Sequence, residues 1–379
     1  MLMGTALFAD DAKVMPMMVG RVYVVPTYSF ANGAFDAEGN LQRYKDPVKL
    51  FNLGAAVEYG ITNWITGAIQ WTPGWTPWSD VAPAAKDLLG SLNSTSDVNT
   101  NGIADLFIGA KLQLIGEKAP LVDKNLRFSV APGVIIPFSG PNFEDEFNNV
   151  LKSDTATISN MDNHVFGYGA RLYLDFIANE HFFFNFYNET ILYPAKLDYN
   201  KAGPTWAGTK AGLAQGLGTL AGMVGMADPT PLLVAGNAVT ADINYKYRLT
   251  FEIEPQYSTS VGKGVIFSAG LPFNYRYMPP YEYSLNNTDA LLTQFKAFAA
   301  MGVPVPTTDK GLLDYLGMVG YAQQSISFNP NVSLFLTQTP LPLEFKFQYA
   351  IPVWGENTMA RNNLTLQIKA YFALPGRPQ

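Results

Sequence analysis

The segment Ala241 to Pro255 constrains this chain more than any other. Ala241, Ile243, Tyr245, Tyr247, Leu249, Phe251 and Ile253 alternate with Asp242, Asn244, Lys246, Arg248, Thr250, Glu252 and Glu254, so one face is wholly apolar and the other almost wholly polar. Period-two alternation marks a strand whose two faces meet different surroundings. The run is more than twice the roughly 5 to 6 residues of an ordinary globular strand. A tilted strand that crosses a bilayer needs about 9 to 11 residues, which fits.

Eleven further segments repeat the pattern: Gly20 to Phe30, Leu50 to Gly60, Trp64 to Thr72, Ala104 to Ile115, Leu126 to Phe138, Val165 to Ile177, His181 to Tyr193, Val265 to Tyr277, Ser325 to Thr337, Leu343 to Ile351 and Leu364 to Phe372. Short links (61–63, 116–125, 178–180, 258–264 and 338–342) alternate with longer ones at 31–49, 73–103, 139–164, 194–240 and 278–324, and a modest one at 352–363 closes the series. Short turns on one side and long loops on the other are the rhythm of an outer-membrane barrel. In hydrocarbon each unpaired backbone group costs several kcal/mol, so a sheet that spans must close and leave no edge. The expected fold is therefore all-β: a closed antiparallel transmembrane β-barrel of about 12 strands, with 14 as the alternative if two more lie in the long loops, for instance near Val303 to Thr307. With an even count both termini fall on the short-turn side, expected to be the periplasm of a diderm bacterium.

Composition excludes the competing classes. Charged residues make up 15% of the chain, below the roughly 25% of a soluble domain, and apolar residues make up 48%. A mean hydropathy of +0.04 is too low for a bundle of membrane helices. The 13% of aromatic residues argues against disorder, and a pI of about 5.0 offers no basic surface for nucleic acid. The absence of Cys removes thiol catalysis and Cys metal sites. His164 and His181 are the only histidines, and no metal, cofactor or phosphate-loop motif accompanies them, so an enzyme is not expected. Met1 to Ala9, ending in a small residue before Asp10 and Asp11, reads either as the remnant of a signal peptide or as a plain tail. Residues 10–379 then form one barrel domain.

Strand parity sorts the side chains. Leu172, Leu174 and Phe176, Phe182, Phe184 and Phe186, and Leu343, Phe345, Phe347 and Tyr349 are assigned outward, toward lipid. Arg21, Asp105, Lys111, Arg171, Lys246, Arg248 and Arg276 are assigned to the lumen, together with Asn52, Glu58, Gln70, Arg127, Asp175, Glu189, Glu252 and Lys369. Such charges either brace the wall in cross-lumen pairs or orient a ligand headgroup.

The loops are greasier than a polar-solute porin requires. Ala211 to Ala227 carries no charge, and Leu213, Leu217, Leu220, Met223 and Met226 are the candidate contacts for a hydrophobic ligand on a helix there. The alternative is that loop helices pack on one another as a cap. Ala290 to Met301, Leu312 to Val319 and Ala84 to Leu92 are further short helices expected in the loops. Pro26, Pro132, Pro137, Pro255, Pro272 and Pro330 fall in or near strands, where each removes a ladder hydrogen bond. Pro132 with Gly133 is the candidate for a kink that opens a lateral route.

The opening strand Val19–Thr27 with Tyr28, and the strand-turn-strand Gly54 to Ile69, resemble the FadL family of outer-membrane transporters for long-chain fatty acids and other hydrophobic compounds, in its divergent spirochaetal form. The resemblance implies a hydrophobic ligand site near the external loops, a kinked strand and lateral diffusion into the membrane. It also implies outer-membrane lipid and the barrel-assembly machinery as partners. Phe372 resembles the terminal aromatic that this machinery reads, with Ala373 to Gln379 following it. The chain lacks the family's Asn-Pro-Ala plug motif, and the runner-up function is a passive porin for small polar solutes.

Overall fold

A computed structural model of the chain describes residues 11–80, 97–138, 155–160, 165–198 and 204–373. Met1 to Ala9, Ala84 to Leu92 and His164 lie outside the described residues. The chain forms a closed antiparallel barrel of twelve wall strands. These are β1 (Val19–Phe35), β2 (Leu41–Gly60), β3 (Ile65–Asp80), β4 (Leu106–Ile115), β5 (Leu126–Ile136), β6 (Gly167–Ile177), β7 (Phe182–Tyr193) and β8 (Lys246–Gly262). Next come β9 (Val265–Gly270 with Phe273–Met278), β10 (Gln323–Phe328 with Asn331–Leu336), β11 (Leu343–Glu356) and β12 (Thr358–Ala373). Each pairs with its sequence neighbour, and β12 closes on β1 from Val19↔Ala373 to Phe35↔Thr358. The segment 303–307 is irregular chain in a loop, so the count is twelve.

Burial follows the parity. Val22, Val57, Ile69, Phe176, Phe184 and Phe347 are exposed on the outside, whereas Arg21, Glu58, Lys111, Asp175, Glu189 and Glu252 are buried on the inside. A wall that is apolar outward and polar inward is what a bilayer selects. No helix of the described residues is long and apolar enough to cross a membrane.

Three boundaries depart from the sequence reading. The 241–255 alternation is two strands, broken at Tyr245: Thr240–Asn244 belongs to a small sheet with Leu197–Asp198 and Glu282–Asn286 above the barrel, and β8 begins at Lys246, whose φ is 59°. One period-two pattern serves both, because each piece has one apolar face, the first against a loop core and the second toward lipid. The 31–49 link is mostly strand, since a ladder continued into water needs no apolar face; the same holds for 352–363, which shrinks to a turn at Asn357. Prolines interrupt β9 at Leu271–Pro272 and β10 at Asn329–Pro330. Register survives, because Leu271, Asn329 and Tyr349 N–H groups donate to the carbonyls of Pro255, Pro272 and Pro330 at 2.8–3.0 Å.

Among the described residues the loops carry four helices: α1 (Pro204–Met223), α2 (Thr230–Ala238), α3 (Asp289–Ala300) and α4 (Asp309–Tyr315). α3 overlaps the expected 290–301 helix, α4 stops short of Val319, and α2 was not expected. Their core includes Leu213, Leu217, Leu232, Leu291, Phe295 and Leu312, and it runs into the barrel mouth through Phe107, Ile135, Ile191 and Tyr193. α1 is rich in Gly, each costing about 1 kcal/mol against Ala in a helix interior, so packing rather than propensity holds it. The closest approach is at Gly236 of α2, where a Cβ would lie 2.3 Å from Leu217 Cδ1.

Candidate functional site

The lumen is the candidate site. At its short-turn end the segment before β1 runs inside the wall. Ala12 is fully buried; its N–H donates to both oxygens of Asp175 at 2.9 and 3.0 Å, and its carbonyl accepts from Gln113 Nε2 at 3.0 Å and from Ser129. Lys111 Nζ donates to the Asp11 carbonyl at 2.9 Å and lies 4.0 Å from the Tyr173 ring centroid. The Met15 N–H donates to Thr66 Oγ1 at 2.7 Å. A backbone placed in a lumen must find partners for its polar groups, and the wall supplies them from four strands. The sequence reading noted only that the family's Asn-Pro-Ala plug motif is absent. Residues 11–18 have no periodicity to betray them; the only signal was the set of inward polar side chains awaiting partners.

Above this segment lies a charged belt. Arg21 is 2.8 Å from Glu58, which also accepts from Tyr23 Oη and Gln70 Nε2. Arg171 Nε donates to Glu189 at 2.7 Å, its Nη1 donates to Gln70, and its guanidinium stacks 3.7 Å from the Phe107 ring centroid. Glu189 also meets Arg248 Nη2 at 3.5 Å, and Glu252 accepts from Asn274 at 3.0 Å. The pairs cross between strands, which braces the wall. A buried pair contributes little net stability over an apolar one, yet losing one partner costs about 3–5 kcal/mol.

Two cavities flank the belt. One of about 510 Å³ at the short-turn end is lined by charges of both signs, among them Lys13, Lys346 and Lys369 with Asp11, Glu254 and Glu344. The other, about 300 Å³ at the loop end, is lined by Arg248, Arg276 and Arg361 beside Phe35, Met278 and Met359, with no Asp or Glu among the described residues of its wall.

The predicted residues distribute as follows. Arg21, Lys111, Arg171, Arg248 and Arg276 face the lumen. Lys246 sits at the rim, 2.8 Å from Glu282 of the loop sheet, and Asp105 lies just before β4. Leu213 and Leu217 are buried in the cap core, Leu220 and Met226 pack against it, and Met223 is 74% exposed. Pro132 and Gly133 lie within an unbroken β5, whose pairing to β6 runs from Leu126↔Phe176 to Ile135↔Gly167. The Phe107 ring covers Gly133, where an added Cβ would lie 2.4 Å away. Arg361 was missed because it falls in the stretch read as the 352–363 link.

Fold and lining together define an outer-membrane-type barrel: lipid-soluble outside, charged inside and capped at the loop end. Among solved structures, the chain is similar to an outer membrane channel from Pseudomonas putida F1, with a TM-score of 0.56 and 11% identity over 97% of this chain and 100% of that one. The NanC porin (TM-score 0.35, 9% identity, 93% and 100% covered) and the CymD monoaromatic hydrocarbon channel (0.33, 8%, 95% and 89%) are more distant in shape. No protein-family model and no curated protein matches the sequence.

Proposed function

We propose that this barrel is an outer-membrane channel for small apolar or amphipathic molecules, fatty acids and similar compounds among them. The observation that carries the reading is the occupied lumen: the 11–18 segment and the charged belt divide it into two cavities, an arrangement poorly suited to bulk flow of polar solutes. Apolar side chains on the cap support capture, because Met223, Val234, Met301 and Tyr315 stay more than half exposed above a core that is already filled. In this reading both termini are periplasmic, the cap is external, and the ligand leaves through the lumen or sideways near Pro132.

Mass spectrometry of what co-purifies in mild detergent tests the proposal. Bound lipids or fatty acids are the expected result, and an empty barrel with large, stable conductance steps in planar bilayers would replace it with the polar-solute porin. The lateral route is tested separately by Pro132→Val, which restores a ladder donor without forcing a Cβ against Phe107; slower uptake is expected, and unchanged uptake removes that route.

A further inference from the structure

We propose that the inner face of β10 is a hydrogen-bonding track that carries small uncharged polyols in single file between the loop-end and short-turn cavities. This route goes beyond the apolar-ligand reading and does not depend on it.

The residue pattern is the first observation. Ser325, Ser327, Asn329, Asn331 and Ser333 occupy successive inward positions, while Ile326, Phe328, Val332 and Leu334 between them face outward. Ser325, Ser327 and Asn329 line the loop-end cavity, and Ser333 lines the short-turn cavity. Asn331 lies between the two, its Nδ2 donating to Glu254 Oε1 at 2.7 Å, and Glu254 lines the short-turn cavity. Inward positions on one strand are about 7 Å apart, so a solute can keep one hydrogen bond while it makes the next. Hydroxyls and amides both donate and accept, and a narrow pore selects by such groups together with its width and its charges.

Placement is the second. The two obstructions in the lumen are held by the opposite wall. The 11–18 segment bonds to Thr66, Lys111, Gln113, Ser129 and Asp175 of β3–β6. The cap core enters the mouth through Phe107, Ile135, Ile191 and Tyr193 of β4–β7. In the closed ring of twelve strands β10 stands opposite β4, away from both. The space left beside β10 suits single-file passage rather than bulk flow.

The third observation is an acceptor left over. Among the described residues, Asn329 Oδ1 is buried with no hydrogen-bond donor, in a residue that is 5% exposed and lines the loop-end cavity. Asn274 and Gln348 add two more amides to that wall. Buried polar atoms are nearly always satisfied, and a solute hydroxyl supplies the donor that Asn329 lacks. Charge placement then selects against ions. Arg276 stands across the ladder from Ser325 and Lys346 from Ser333, with Glu254 at the waist between them. A cation meets like charge at both ends and an anion meets it in the middle, whereas a neutral solute meets neither barrier.

The test is osmotic swelling of phosphatidylcholine liposomes holding the full chain, read by stopped-flow light scattering with erythritol and with sucrose, empty liposomes subtracted. Asn329→Leu nearly keeps the side-chain volume and removes an oxygen that the wall does not use, and Ser327→Leu fills the track; a shift between boiled and unboiled gel migration confirms that each variant folds. Erythritol entry that either substitution slows about fivefold or more, the value of one lost hydrogen bond, with sucrose excluded, is the expected result. No erythritol entry through the folded wild-type chain overturns the track, as does entry that both substitutions leave unchanged. Sucrose entering as fast as erythritol overturns single-file passage. A potassium conductance in planar bilayers that Asn329→Leu abolishes would overturn the neutral-solute assignment and make the track an ion path.

Discussion

At the short-turn end of the lumen, Lys369 lies 3.1 Å from Glu344, Lys346 is 3.9 Å from Glu254, and Arg127 is 3.8 Å from Asp175. At the loop end, Arg248, Arg276 and Arg361 line a cavity whose described residues include no Asp or Glu. Both regions belong to the same strands and face the same way, so parity alone does not distinguish them. The difference lies in partner placement. Below the belt, opposite charges meet within the wall or hold the 11–18 segment, and the interior is self-sufficient. Above it, arginines, amides and apolar carbon share the wall of one cavity. The cap reinforces the asymmetry. Its apolar core fills the mouth on the β4–β7 side through Phe107, Ile135, Ile191 and Tyr193, and the arginine-lined cavity occupies the side formed by β8–β12 and the end of β1.

The strongest way to break this contrast is at the junction of the two regions. Glu189 is 2% exposed at its side chain and joins Arg171 to Arg248. Glu189→Gln leaves two desolvated guanidiniums without their anion and is expected to cost about 3–5 kcal/mol, read as a lowered urea midpoint for unfolding in lipid. A loss below about 1 kcal/mol, the value of a screened surface pair, would mean that water reaches both arginines and that the interior is not partitioned as described.

A smaller effect is expected at the plug. Asp175→Asn preserves shape but weakens two bonds to the Ala12 N–H, and bonds to a charged group contribute about 1.5–3 kcal/mol. Residues 11–18 should leave the lumen about tenfold more often, seen as faster tryptic cleavage after Lys13. Unaltered cleavage would show that Gln113, Ser129 and Lys111 hold the segment without Asp175.

The strands were legible in the sequence because lipid outside and charge inside impose alternation on each. Where that demand stops, legibility stops too. Leu41–Lys49 continues β2 with Gln42, Arg43, Lys45 and Asp46, which look like a loop because nothing greasy faces them. Tyr245 was misread for the opposite reason: a loop strand buried in the cap and a wall strand facing lipid carry the same alternation, and only the left-handed backbone at Lys246 separates them. Of the three loop-end arginines, Arg248 and Arg276 follow from parity, and Arg361 required knowing that β11 and β12 extend past the membrane to a tight turn. Which other side chains share their cavity was not legible, because the lining depends on which strands adjoin around the ring. Leu213 and Leu217 show the same limit, since a greasy helical stripe reads alike whether it meets a ligand or α2.

The smallest expected effect sharpens the contrast most cleanly. Lys369→Gln removes a cation whose carboxylate, Glu344, keeps a second donor in Tyr371 Oη at 2.6 Å. Because Glu344 stays hydrogen-bonded and its side chain is 16% exposed, the loss should be about 1 kcal/mol or less, near the value of a solvent-accessible pair. A loss above about 3 kcal/mol, the cost of breaking a buried pair, would mean that Tyr371 does not hold Glu344 by itself and that the short-turn end depends on each of its pairs.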